Sequence, residues 1–170
     1  MRTGRPGHLA SFDYIGFHRY SLTFCTHRRQ KLFTNAEIVR LVLTQISRAS
    51  AKHLFGVIAY CFMPDHLHLL VAGQAPDSAC KPFIALVKQY SGYHYSEASG
   101  SRLWQRYGFE HTLRDEELTL IVAKYILENP IRAGLVDRVH DYPFVGSLVY
   151  SLDELLLAIA AASPVRRRSG

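Results

Sequence analysis

Two histidines one residue apart, His66 and His68, stand in the segment MPDHLHLLV, residues 63–71. In a strand, side chains two residues apart share a face, so both imidazoles project together while Leu67, Leu69 and Val71 face the core. Their Cα atoms then lie about 6–7 Å apart, close enough for two ring nitrogens to converge on one metal ion. The pair alone is weak evidence, because nine histidines in 170 residues give about 0.5 such pairs by chance. Its setting strengthens it: the pair opens a strand after the Pro64-Asp65 turn, and an imidazole among Leu and Val needs a polar partner if buried. The competing reading is two half-exposed polar residues on the outer face of a sheet.

A second group lies about 60 residues on. Leu118, Ile121, Val122, Tyr125 and Asn129 fall at i, i+3, i+4, i+7 and i+11, one stripe of a helix and its expected inward face. Asn129 before Pro130 also reads as a helix stop, and Tyr125 as a core tyrosine with a satisfied hydroxyl. Joined to the histidines, they describe a site for phosphate chemistry. Two imidazoles and an amide oxygen hold a divalent cation that polarises a phosphodiester, and the tyrosine oxygen attacks phosphorus. The product is a covalent phosphotyrosine.

The elements that must position these groups are legible in outline. Arg19 to Thr26 alternates and is rich in β-formers, a first strand. Thr34, with Glu37 three residues on, forms a capping box for an amphipathic helix to about Lys52. Phe55 to Met63 is a nearly continuous apolar run, a central strand, and His66 to Val71 returns as its hairpin partner. Phe83, Leu86, Val87, Tyr90 and His94 mark a helix over about 78–98. Leu103 to Leu113 reads as a short extended segment, Asp115 as the cap of the helix that carries Tyr125, and Ser151 with Glu154 as the cap of a last helix to about Ala162. The pattern implies an α+β fold, one antiparallel sheet carrying helices. Three units are expected: a flexible basic arm over 1–16, a catalytic domain over 17–150, and a C-terminal helix with a basic tail over 151–170.

Composition narrows the class. The chain has 20 Lys and Arg against 14 Asp and Glu, a formal charge of +6, which permits an acidic partner such as nucleic acid without requiring one. Three cysteines without a C-x-x-C pair supply neither a disulfide framework nor a structural zinc site, so a cytoplasmic, nucleoid-associated location is expected. The first 16 residues do not read as a secretory signal, and the apolar stretch Leu155–Ala162 is too short to cross a bilayer. Among the cations, Lys88, Arg106, Arg114 and Arg132 are candidate phosphate contacts, and Tyr93 is a candidate platform for an unpaired base. Tyr90 fits the helix stripe and is expected in the core, leaving Tyr93 and Tyr95 as the freer tyrosines.

Four segments, HRYSLTFCTHRRQKLF, MPDHLHLLV, LWQRYGFEHTLRD and YILENPIRAGLV, resemble in this order the single-tyrosine HUH transposases, specifically the REP-associated tyrosine transposases, over about Arg19 to Ser147. The resemblance implies a ferredoxin-like sheet with the histidine pair on a central strand. It also implies His66 and His68 as metal ligands, Tyr125 as the nucleophile, and Asn129 at the third-ligand position, where relatives often carry Gln. It further implies Mg²⁺ or Mn²⁺ as cofactor and single-stranded hairpin DNA as partner, cut to leave a 5′-phosphotyrosine and a free 3′-hydroxyl. Relatives act as homodimers or monomers. Other functions stay in view: a domesticated hairpin-binding protein without transposition, and an HUH nickase or replication initiator. A histidine-triad hydrolase would need a third histidine at position 70, which is Leu.

Overall fold

The computed structural model describes residues 15–113 and 116–163. Arg114, the expected cap Asp115, residues 1–14 of the basic arm and the arginine tail lie outside the described residues. The chain runs β1 (Arg19–Cys25), α1 (Ala36–His53), β2 (Phe55–Met63), β3 (His66–Gly73), α2 (Cys80–Ser99), β4 (Phe109–Leu113), α3 (Glu116–Leu127), α4 (Asn129–Arg132), β5 (Val145–Gly146) and α5 (Leu152–Ala162). The strands form one antiparallel sheet in the order β4-β1-β3-β2-β5. The first four follow the ferredoxin-like arrangement expected: α1 and α2 each cross over one intervening strand, so the histidine strand β3 lies at the centre.

Both faces of this sheet are covered. On one, Tyr20, Leu22, Phe24, Leu67, Leu69 and Val71 pack with Val42, Ile46, Phe83 and Val87 of α1 and α2. On the other, Cys61, Met63 and Leu70 pack with Ala123, Ile126 and Leu127 of α3 and Leu155 and Ile159 of α5. A register shift between Val57 and Ala59 decides which β2 residues go where. Val57 belongs to the α1/α2 core and Ala59, two residues later, to the α3/α5 core. The extra residue, Ile58, turns the rest of the strand over, so Cys61 and Met63 join the face that bears the histidines.

Several local expectations are corrected. The cap of α1 is Asn35, whose side chain accepts from the Glu37 amide at 2.8 Å. A 3-10 turn over Leu32–Thr34 places Thr34 one residue too early, and its hydroxyl donates to the Lys31 carbonyl. In α2 the buried stripe is Cys80, Phe83, Val87, Ser91 and Tyr95, so Tyr95 is core and Tyr90 exposed. The cause is Trp104, whose indole donates to Ser91 Oγ at 2.8 Å and packs on Phe24 and Phe33, turning the small Ser91 face inward. In α3 the inward residues are Thr119, Ala123, Ile126 and Leu127; of the predicted stripe, Leu118, Ile121 and Tyr125 are exposed, whereas Val122 is half-buried against the α3/α5 core and Asn129 half-buried. Both faces of this helix are apolar, and the one with the small Ala123 is the one that settles on the sheet. Asn129 opens α4 instead of ending α3, because Pro130 has no amide hydrogen to lose in a first turn.

Candidate active site

The end of β1 with the loop after it, and the start of β3 with the turn before it, bring the histidines and their partners together. His68 sits opposite Thr23 of β1 and Cys61 of β2, and His66 opposite Cys25 and Met63. The two imidazoles face each other edge to face, with ring centroids 4.7 Å apart and Nε2 atoms 3.1 Å apart. Each ring is held from its far side. His66 Nδ1 lies 2.7 Å from Asp65 Oδ1, and His68 Nδ1 lies 3.0 Å from Thr23 Oγ1. Asp65 is itself gripped by Arg29, whose Nε donates to Oδ2 at 2.9 Å. The pair is thus part-buried with both rings partnered, against the competing reading of two half-exposed polar residues on an outer face.

Electrostatics follow from this packing. Burial, then the charges of His66, Arg132 and Arg29, push His68 down to about 4, so its ring is neutral at physiological pH. Burial works to raise the Asp65 carboxyl, but hydrogen bonds from His66 and Arg29 outweigh it and hold Asp65 below the usual carboxylate range. The neighbouring Cys61 thiol is pushed up to about 12 by burial.

The helical side of the site comes from α3 and α4. Arg132 lies over the Tyr125 ring, 3.9 Å from its centroid, and donates to the Tyr125 carbonyl. Tyr125 is 58% exposed; its phenol stands in solvent on the same side of the sheet as the histidines. Asn129 is half-buried, and its Nδ2 is buried without a hydrogen-bond partner, an anomaly for an amide serving only as a helix stop. The Arg132 charge reaches His68 and Cys61, which ties this helix end to the histidine face.

These residues fit a divalent cation. Two ring nitrogens converge, their outer nitrogens are occupied, and the Asn129 amide, whose oxygen could serve as a ligand, stands on the adjoining helix turn. Among the described residues no cluster of three His, Cys, Asp or Glu has metal-holding geometry, so the remaining ligands would be amide oxygen, water or substrate.

The other candidate contacts separate into two groups. Arg132 belongs to the histidine side. Lys88 and Arg106 lie in the α2 layer, lining an open groove of about 690 Å³ with Gln89, Arg102, Trp104 and Gln105. Lys88 donates to the Gln105 carbonyl and sits over the Phe24 ring. Tyr93 is 58% exposed on α2, beside His94. The residues that sequence reasoning missed are Thr23, Arg29 and Asp65. Asp65 is adjacent to the pair, but Thr23 meets His68 only through strand register, and Arg29 meets Asp65 only through the β1–α1 connection.

The fold has counterparts among known proteins. The family model described as "Transposase IS200 like" matches residues 16–129. A protein of Escherichia coli K12 named REP-associated tyrosine transposase is 24% identical over 74% of this chain and 72% of its own length. A Haemophilus influenzae protein given the same name provisionally is 32% identical over 53% of this chain, and the match spans 57% of that relative's length. A solved structure described as a REP-associated tyrosine transposase bound to a REP hairpin superposes with a TM-score of 0.68 at 22% identity, covering 82% of this chain and 81% of that one. No helix among the described residues is long and apolar enough to cross a membrane.

Proposed function

The chain belongs to the IS200-like transposase family, and from that premise we propose that it cleaves and rejoins single-stranded DNA at hairpin sites through a 5′-phosphotyrosine on Tyr125. The observation that carries the proposal is the convergence of His66 and His68 Nε2 at 3.1 Å, on the sheet face covered by the helix that bears Tyr125. His66, His68 and the Asn129 amide would hold Mg²⁺ or Mn²⁺. Such an ion, when bound, withdraws charge from a phosphodiester oxygen. The chain's own residues do the rest. Tyr125 is exposed, so its hydroxyl is open to a DNA strand. Arg132, stacked on its ring, supplies a positive charge for the phosphate that joins it. The tyrosine ester formed replaces the phosphodiester broken, so a later 3′-hydroxyl can reverse the step.

DNA would be held by more than the site. The groove of Lys88 and Arg106 offers phosphate contacts in the opposite layer, and Tyr93 an exposed ring for stacking. This favours a second reading, hairpin binding without cutting, which is consistent with the hairpin in the similar solved structure. Incubation with hairpin-bearing single strands and Mn²⁺, resolved on a denaturing gel, separates the two. Cleavage predicts a protein–DNA adduct that chelator and Tyr125→Phe abolish; retarded DNA under native conditions with no adduct supports binding alone.

A further inference from the structure

The Nδ1 ends of the imidazoles are built differently. Asp65 is pinned on both sides: its carbonyl accepts from Thr26 N and Thr26 Oγ1, each at 3.0 Å, and its carboxylate accepts from Arg29 at 2.9 Å. Arg29 also donates through Nη1 to Cys25 Sγ at 2.9 Å. The chain leading to Arg29 takes left-handed backbone at Arg28 and Arg29, φ 55°, a conformation uncommon for non-glycine residues. A carboxylate accepts hydrogen bonds and cannot donate them. His66 therefore carries a proton on Nδ1, and in its neutral form, the form able to bind a cation, Nε2 is a lone pair.

The rest of the chain of contacts then follows. With Nε2 of neutral His66 accepting, the 3.1 Å contact is a donation from His68 Nε2–H. His68 Nδ1 in turn accepts from the Thr23 hydroxyl at 3.0 Å. His66 is thus ready to bind a cation and His68 is not. For His68 to offer Nε2, its proton must move to Nδ1, and the partner there must change from donor to acceptor. A hydroxyl does this by rotation. Resting on the reading of the pair as a cation site, we propose that the Arg29–Asp65 pair and Thr23 are positioning residues: Asp65 locks His66 in one tautomer, and Thr23 lets His68 exchange tautomers when a cation arrives. One proton leaves His68 Nε2 and one is gained at Nδ1, so the pair takes up the ion with no net proton release.

The full chain labelled with ¹⁵N-histidine tests this by NMR, without divalent ions and then with Mg²⁺, alongside Mn²⁺ affinity from electron paramagnetic resonance. Expected are Nδ1–H on His66 throughout, and on His68 a change from Nε2–H to Nδ1–H as Mg²⁺ is added. Asp65→Ala weakens Mn²⁺ binding roughly 10–100-fold, Asp65→Asn less, and Thr23→Val weakens it while Thr23→Ser retains it. The two conservative variants and a urea midpoint for each protein separate positioning from folding. Nε2–H on His66 in the wild type overturns the proposal, as does Mn²⁺ affinity unchanged within twofold in both Asp65→Ala and Thr23→Val. A wild-type chain with the expected metal-free tautomers that takes up no Mn²⁺ instead overturns the cation reading, and with it the exchange at His68.

Discussion

At His66 and His68 the chemically useful atoms are the two Nε2 nitrogens, each aimed by what the ring's other nitrogen touches. Replacing His66 by Ala is expected to leave DNA affinity within about twofold while removing adduct formation, because binding draws on phosphate contacts elsewhere. Gel retardation and denaturing gels on one preparation check this, and loss of both together would mark the histidine as structural. Thiol chemistry gives an independent reading of the same neighbourhood. Cys61 and Cys80 are fully buried, with Cys61 pushed up to about 12, whereas Cys25 is only half-buried beside Arg29. One thiol should therefore react quickly with a disulfide reagent in the folded protein and three in denaturant; equal rates for Cys25 and Cys61 would contradict the packing of the histidine face. At this scale the sequence showed the residues whose neighbours are local. His66 and His68 follow from strand periodicity, but Thr23 and Arg29 depend on pairings across 45 and 36 positions.

At the scale of elements, sequence pattern served best where one face of an element is apolar and worst where both are. The bounds of β2 match the apolar run Phe55–Met63, yet nothing in that run marks Ile58 as the residue at which the strand turns over. In α3, two apolar stripes compete and periodicity selects the one that is mostly exposed, leaving Tyr125 on the open side of its helix, as the proposed nucleophile requires. The capping box of α5 was legible because it is local: Ser151 Oγ accepts from the Glu154 amide at 3.1 Å and Glu154 accepts from the Ser151 amide at 2.8 Å. Ser151→Ala should cost about 1 kcal/mol, read as a fall in urea midpoint. The hydrogen bonds from Ser151 hold the Glu154 carboxyl below its ordinary range. Its contribution is therefore present above the ordinary carboxylate pKa and is lost as pH falls through the lower folded value; urea midpoints of wild type and Glu154→Gln should converge there. At the end of β3, a Cβ on Gly73 would stand 1.9 Å from the Gly16 carbonyl oxygen. Backbone cannot swing aside as a side chain can, so Gly73→Ala should destabilise by about 1–3 kcal/mol.

At the scale of the whole molecule, the sheet separates two groups of residues to which the proposed function gives different tasks. The histidines, Tyr125, Asn129 and Arg132 belong to the side covered by α3 and α4, and the groove of Lys88 and Arg106 to the α2 layer. The modest charge of +6 fits a strand held at a few points and partly by stacking. Replacing Lys88 and Arg106 together by Ala should weaken DNA binding about equally for all sequences and lower the salt slope by about 2, with the adduct still forming at saturating DNA; fluorescence anisotropy over a salt series measures both. The most direct test of the central claim is mass spectrometry of the proteolysed covalent product after reaction with hairpin DNA and Mn²⁺. The account predicts a peptide spanning Tyr125 that carries a nucleotide through a 5′-phosphoester on the phenolic oxygen. A nucleotide on any other residue, or DNA cut with no protein-linked product, would contradict it.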